Sequence, residues 1–203
     1  MAGTHKKTRS KRSDGFELIA IGASAGGLSA LGQVLINLAD SFPPIVVVQH
    51  LDPRHQSQMA GLLARKTRKH VKEAEDGEPL DEDTVYIGPP NEHLLVSKGK
   101  IQLAHSRLVR FSRPSIDVMF ASVASTYADR AIGVILSGSN RDGADGIAAI
   151  KRAGGITIAQ DPATAEFRVM PQSAIDTGCV DRIVTLDRMG TSLSELVARS
   201  TAK

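Results

Sequence analysis

The chain has a single cysteine, Cys179, no tryptophan and only 3% aromatic residues in 203. One cysteine excludes an internal disulfide and any cysteine-based zinc site. Its setting, "GCVDRIV", predicts a small core position in a buried strand. So few aromatics leave little for nucleobases to stack on. No stretch approaches the roughly 18 apolar residues a membrane helix needs, and "MAGTHKKTRSKRSDG" has no apolar segment behind its charges. Neither membrane insertion nor a secretory leader is expected, and the expected location is cytoplasmic. Positive charge is also scarce outside one segment. Lys6, Lys7, Arg9, Lys11 and Arg12 lie in residues 1–15 against one acid, Asp14, and the other 188 residues carry 20 basic and 21 acidic side chains. The basic pI therefore belongs to a solvated, disordered tail over 1–15, and no nucleic-acid partner is expected.

What remains is a body of ordinary apolar content, 41% over the chain, long enough for one domain over 16–203. From Phe16 on, apolar runs alternate with segments of helical period, which predicts an α/β fold. The expected architecture is a three-layer αβα sandwich, Rossmann-like, with a doubly wound, mainly parallel sheet and an antiparallel hairpin. "FELIAIGA" is the first strand. Leu28, Leu31, Leu35 and Leu38 give the next helix its apolar stripe, and "PPIVVVQH" reads as a strand buried on both faces. A helix near 56–67 and a strand at "VYIGPP" follow. The runs flanking Lys98-Gly99 form the hairpin, an edge of the sheet or a flap beside the site. Ser115 should cap a helix, "AIGVIL" and "GITIAQ" enclose another helix closed by Gly154, and "CVDRIVTL" precedes a last helix over 191–199.

Ligands of such sheets bind beyond the C-terminal ends of the strands. That rule selects Ser24 after the first strand, His50 closing "PIVVVQH", Asp142 after "AIGVIL" and Asp161 after "GITIAQ". Serine, histidine and aspartate at one rim are the ingredients of acyl transfer if their loops converge. Each has a plainer role open to it. Ser24 and Asp142 could cap helices, His50 could bond backbone, and Asp161 could be a turn residue. His93, near a strand end, is the rival for a base. His5, His55, His70 and His105 read as solvated or loop positions. No histidine and acid stand at ligand spacing, so no metal and no cofactor is expected.

The glycine turn could instead hold a dinucleotide. Gly22, Gly26 and Gly27 give G-x-x-x-G-G, the pattern of short-chain dehydrogenases rather than G-x-G-x-x-G. The accompanying Tyr-x-x-x-Lys is missing, since the tyrosines read "YIGPP" and "YADRA". The acidic residue expected at the end of the second strand is replaced by His50.

Seven segments occur in one order: "IGASAGG", "VVVQHLDPRHQS", "EAEDGEPL", "VYIGPPNEHLLV", "RPSIDVMFASVA", "GVILSGSNRDGADG" and "AQDPATAEFRVMPQSAI". Together they resemble the catalytic domain of the chemotaxis protein-glutamate methylesterases, the CheB family, from about Phe16 to Leu186. The resemblance implies Ser24 as nucleophile, His50 as base and Asp142 as the residue orienting it, with oxyanion donors around Ala25, Gly26, Ser139 and Asn140. It implies hydrolysis of glutamate γ-methyl esters on the cytoplasmic helices of chemoreceptors, with deamidation of glutamine in some members. Family members commonly have threonine where this chain has Ala25, and T-G-M-G-N-D-G where it reads Ser137-Gly138-Ser139-Asn140-Arg141-Asp142-Gly143. Many also carry an N-terminal receiver domain. Here a short tail precedes the first strand, so control is expected from a separate receiver or methyltransferase partner, or is absent. A monomer is expected. The other class of function the sequence allows is a catalytically weak module that docks on receptors or on a methyltransferase.

Overall fold

The computed structural model of the chain describes residues 15–50 and 57–201. The tail expected over 1–15 lies, except for Gly15, outside the described residues, as do His5 and His55. Seven parallel strands form the main sheet in the order β3(His70–Glu73), β4(Thr84–Ile87), β2(Ile45–Gln49), β1(Leu18–Ala23), β7(Ala131–Ile135), β8(Ile156–Gln160) and β9(Arg182–Val184). The hairpin strands β5(His93–Ser97) and β6(Lys100–Ala104) pair antiparallel in a sheet of their own, so they are neither an edge nor an extension of the main sheet.

Strand parity sorts the core into two halves. Ile19, Ile21 and Ala23 face one side, where α1(Gly27–Ile36), α2(Met59–Thr67) and α6(Leu186–Thr201) pack through Leu31, Leu35, Leu63, Met189 and Leu193. Leu18 and Ala20 face the other, covered by α3(Ile116–Tyr127), α4(Ala144–Arg152), α5(Val169–Ile175) and the hairpin. Alternate side chains of one strand thus enter opposite cores, which is why β1, β2 and β7 are buried throughout and show no polar alternation. The result is the expected three-layer, doubly wound sandwich. Strand order reverses about β1, with β2 on one side and β7 on the other, so the crevice of the sheet opens at the C-terminal ends of these three strands.

Several local expectations change. Leu28 is exposed, and α1 buries Ala30 and Val34 beside Leu31 and Leu35, rotating the apolar stripe. Cys179 lies in the loop before β9 and is half-buried, not a core strand residue. β3 is short and polar, with only Val71 buried, and α5 has seven residues including Pro171; neither carries a periodic pattern. The last helix is longer than 191–199, running from Leu186 to Thr201.

Candidate active site

Ser24 follows β1 directly, and its N–H donates to Ser137 O beyond β7 at 2.9 Å. His50 follows β2, its N–H donating to Ala23 O at 3.2 Å. Two ladder bonds thus carry sheet register into the loops and set both residues side by side. Gln49 links them a second time: its Nε2 donates to Ser24 O at 2.7 Å and to His50 O at 3.0 Å. Its Oε1 is buried without a partner among the described residues, so this side chain is kept for its donors. Gly27 makes room for it, because a Cβ there would stand 1.9 Å from Gln49 Oε1. Gly26 supplies the left-handed bend, φ 75°, that turns the chain from β1 into α1.

The side chains of Ser24, His50 and Asp142 form one line. Ser24 Oγ is 3.2 Å from His50 Nδ1, and His50 Nε2 is 2.8 Å from Asp142 Oδ2. Asp142 is 2% exposed, a buried carboxylate that needs partners. It has them: Ser115 Oγ–H and the Asp117 N–H donate to Oδ1, and the Ile116 N–H to Oδ2. Burial raises its carboxyl, but the hydrogen bonds from His50 and from the amides of Ile116 and Asp117 prevail and hold it below the usual carboxylate range. An ionised Asp142 only accepts, so the hydrogen of neutral His50 resides on Nε2 and the lone pair of Nδ1 faces Ser24.

Ser24 and Asp142 do not cap their helices. The N-caps of α1 and α4 are Gly26 and Gly143, without side-chain cap bonds. Asp117 Oδ1 does that work for α4, accepting the N–H of Gly143 and of Gly146. Ser115 caps α3 as expected, accepting from Val118 N–H. Asp161 is a turn residue, its Oδ1 taking the Ala163 N–H. His93 is not a second base: it is fully buried, Nε2 donating to Arg107 O and Nδ1 accepting the Ser115 N–H, with no lone pair left for a substrate.

Of the expected oxyanion residues, Asn140 comes nearest the reacting groups. Its Oδ1 accepts the Asp142 N–H at 3.0 Å, which turns Nδ2 toward His50 Nδ1 at 3.2 Å. The amides of Ala25 and Gly26 have no partner among the described residues, whereas that of Gly138 is taken by Phe167 O. Ser139 is exposed on the same loop. Ser24, His50 and Asn140 line a cleft of about 380 Å³ that is also lined by Asn91, Leu108, Phe111 and Arg113. Gln49, Asn91, Arg113 and Asp117 lie in segments that carry the family resemblance, but neither they nor Leu108 and Phe111 stand out as site residues, because none belongs to an apolar stripe or a motif of reactive types. Among the described residues no cluster of histidine, cysteine or acids is suited to a metal, and no helix is long and apolar enough to cross a membrane.

Comparison with known proteins agrees with this geometry. A family model described as CheB methylesterase matches residues 19–193. A putative protein-glutamate methylesterase/protein-glutamine glutaminase of Leptospira interrogans (strain Fiocruz L1-130) is 43% identical over 176 residues, 86% of this chain and 91% of that protein. Protein-glutamate methylesterase/protein-glutamine glutaminase 2 of Anaeromyxobacter dehalogenans (strain 2CP-C) is 42% identical over 89% of this chain, which spans 53% of that longer protein. The crystal structure of the Thermotoga maritima CheB methylesterase catalytic domain superposes with a TM-score of 0.85 at 35% identity, covering 90% of this chain and 99% of that one. A parallel sheet opening at β1, with serine, histidine and aspartate joined at its rim, thus accompanies likeness over nearly the whole body: the chain belongs to the CheB methylesterase family.

Proposed function

We propose that the protein hydrolyses glutamate γ-methyl esters on the cytoplasmic helices of chemoreceptors, releasing methanol, and deamidates glutamine at such positions. The observation that carries this reading is the continuous hydrogen-bonded line from Ser24 Oγ through His50 to Asp142. A serine hydroxyl is a weak nucleophile, so His50 Nδ1 takes its proton as Oγ bonds to the ester carbonyl carbon. The resulting imidazolium keeps Nε2–H on Asp142, whose charge stabilises it. Nδ1–H then protonates the departing methoxide, methanol leaves, and water attacks the acyl-serine by the same base, returning Ser24 and a carboxylate. With an amide substrate the leaving group is ammonia.

The tetrahedral oxyanion requires donors that are in place before it forms. The free amides of Ala25 and Gly26 at the head of α1 meet that need. Asn140 joins them in a second way: once Nδ1 is protonated it no longer accepts, and the Nδ2 amide released from it donates to the adjacent oxyanion. The same chemistry needs no metal or organic cofactor. We place the catalytic body at 16–203, in the cytoplasm, acting as a monomer.

Methanol release from a methylated receptor cytoplasmic fragment tests the reading. Wild type should release it, and Ser24→Ala and Asp142→Asn should not. Equal inactivity of wild type and Ser24→Ala, with fragment binding retained in both, would instead establish a docking module.

A further inference from the structure

Phe111 is 97% exposed and Leu108 is 56% exposed, yet both line the cleft that contains Ser24 and His50. Their segment is a tight turn closed by Val109 N–H to Ser112 O at 3.1 Å and Ser112 N–H to Val109 O at 2.9 Å. Its two central residues, Arg110 and Phe111, have φ of 47° and 64°. A turn with both central residues left-handed favours asparagine and glycine, and a bulky aromatic there is disfavoured. The turn is also anchored by two side chains, one within it and one just after it. Arg110 donates to Asp117 and Asp145, and Arg113 donates through Nε and Nη2 to Asn91 Oδ1 at 3.0 and 2.6 Å. Phe111 therefore gains no burial from its position, bears a backbone cost, and is held there by two arginines. Folding supplies no reason for this arrangement, and backbone strain retained beside a cleft points to a functional role for the residue that bears it.

We propose that Leu108 and Phe111 form the docking surface for the substrate helix, receiving the apolar side chain one turn away from the glutamyl group presented to Ser24. This inference rests on the methylesterase reading for the identity of the helix. Continuity with the cleft selects the occupant, because a side chain reaching Ser24 enters along the wall that these residues form. On a helix the neighbours three and four positions away share the face that enters, and they lie within about 6 Å of it. An aromatic anchor beside the reacting group fixes where along the helix hydrolysis occurs.

The test separates docking from hydrolysis. Binding of a receptor cytoplasmic fragment is measured by titration calorimetry in the Ser24→Ala background, with and without Phe111→Ala or Leu108→Ala. In the otherwise native enzyme, kcat and KM are compared for the methylated fragment and for a small glutamate γ-methyl ester. The expected result is a Kd and KM for the fragment raised at least tenfold, with kcat/KM falling far more for the fragment than for the small ester. Phe111→Gly should weaken docking equally while raising the thermal midpoint by roughly 2–4 °C, since glycine accepts the left-handed backbone. Equal losses on both substrates, native fragment affinity in the variants, or sedimentation showing that Phe111→Ala dissolves a dimer would each overturn the proposal. Failure of the esterase reading shows differently, as absence of Ser24-dependent methanol release, and leaves the binding comparison intact.

Discussion

Asp142 and Asp117 hold each other's helices: Asp142 accepts the first amides of α3, while Asp117, on α3, accepts the Gly143 and Gly146 amides that begin α4. The carboxylate behind His50 is therefore a structural cap as well. Asp142→Asn would present an NH₂ group to donors that need an acceptor. We expect a loss on the order of a thousandfold or more in kcat, from the disturbed His50 tautomer, together with a stability loss of about 1–2 kcal/mol. Methanol release and urea denaturation of the same preparation measure both.

The reciprocal pair also has a pH signature. Burial, and then the charge of Asp142, push the Asp117 carboxyl up to about 6 from 3.8, against the pull of the Gly146 amide. Because the folded state binds this proton more tightly than the unfolded chain, the associated stability is full below about pH 4 and is lost as pH rises through 6. Asp117→Asn removes that dependence. Relative to wild type, the variant should gain stability steadily between pH 4 and 6.5, as read by denaturant midpoints, and a constant difference across that window would refute the assignment.

Gln49 offers a test away from the reacting atoms. Gln49→Leu keeps the volume roughly but frees the Ser24 and His50 carbonyls. The expected cost is about 1–3 kcal/mol of stability and a fall in kcat of about tenfold or more from misplacement of the serine relative to the imidazole. Gly27→Ala should reproduce part of that effect by displacing the same amide, so the double variant should be less than additive.

Asn140→Ala should lower kcat by about a hundred- to a thousandfold with little change in KM, as loss of one oxyanion donor does. Single-turnover measurement of acylation would locate the effect. If Asn140 served only to brace the Asp142 amide, stability would fall and acylation would not.

Much of this architecture is readable from the chain because its central strands are short, apolar and buried on both faces, and because the rim rule converts strand ends into candidates. The rule singles out Ser24, His50, Asp142 and Asp161 alike, and it is the family resemblance that sets Asp142 above Asp161 and His50 above His93. The rule cannot weigh hydrogen bonds across distant segments: it left His93 as a rival, although two backbone partners occupy its ring. β3 escaped notice because an edge strand with one buried residue has no apolar signature, and α5 because seven residues with an internal proline show no period. Leu28 misled because α1 turns its stripe toward Ala30 and Val34, small residues that give a weaker pattern than leucine. Phe111 was invisible for a different reason, since its importance lies in exposure and backbone strain that no local pattern encodes.

The double duty of Asp142 bears on how descendants of such an enzyme can decay. A lineage that gives up hydrolysis can exchange Ser24 at little structural cost, for its hydroxyl caps no helix. It cannot so easily discard an aspartate that starts α3. Retention of that aspartate is consequently a poor diagnostic of activity among relatives, and the serine is the residue to inspect when an inert paralogue is suspected.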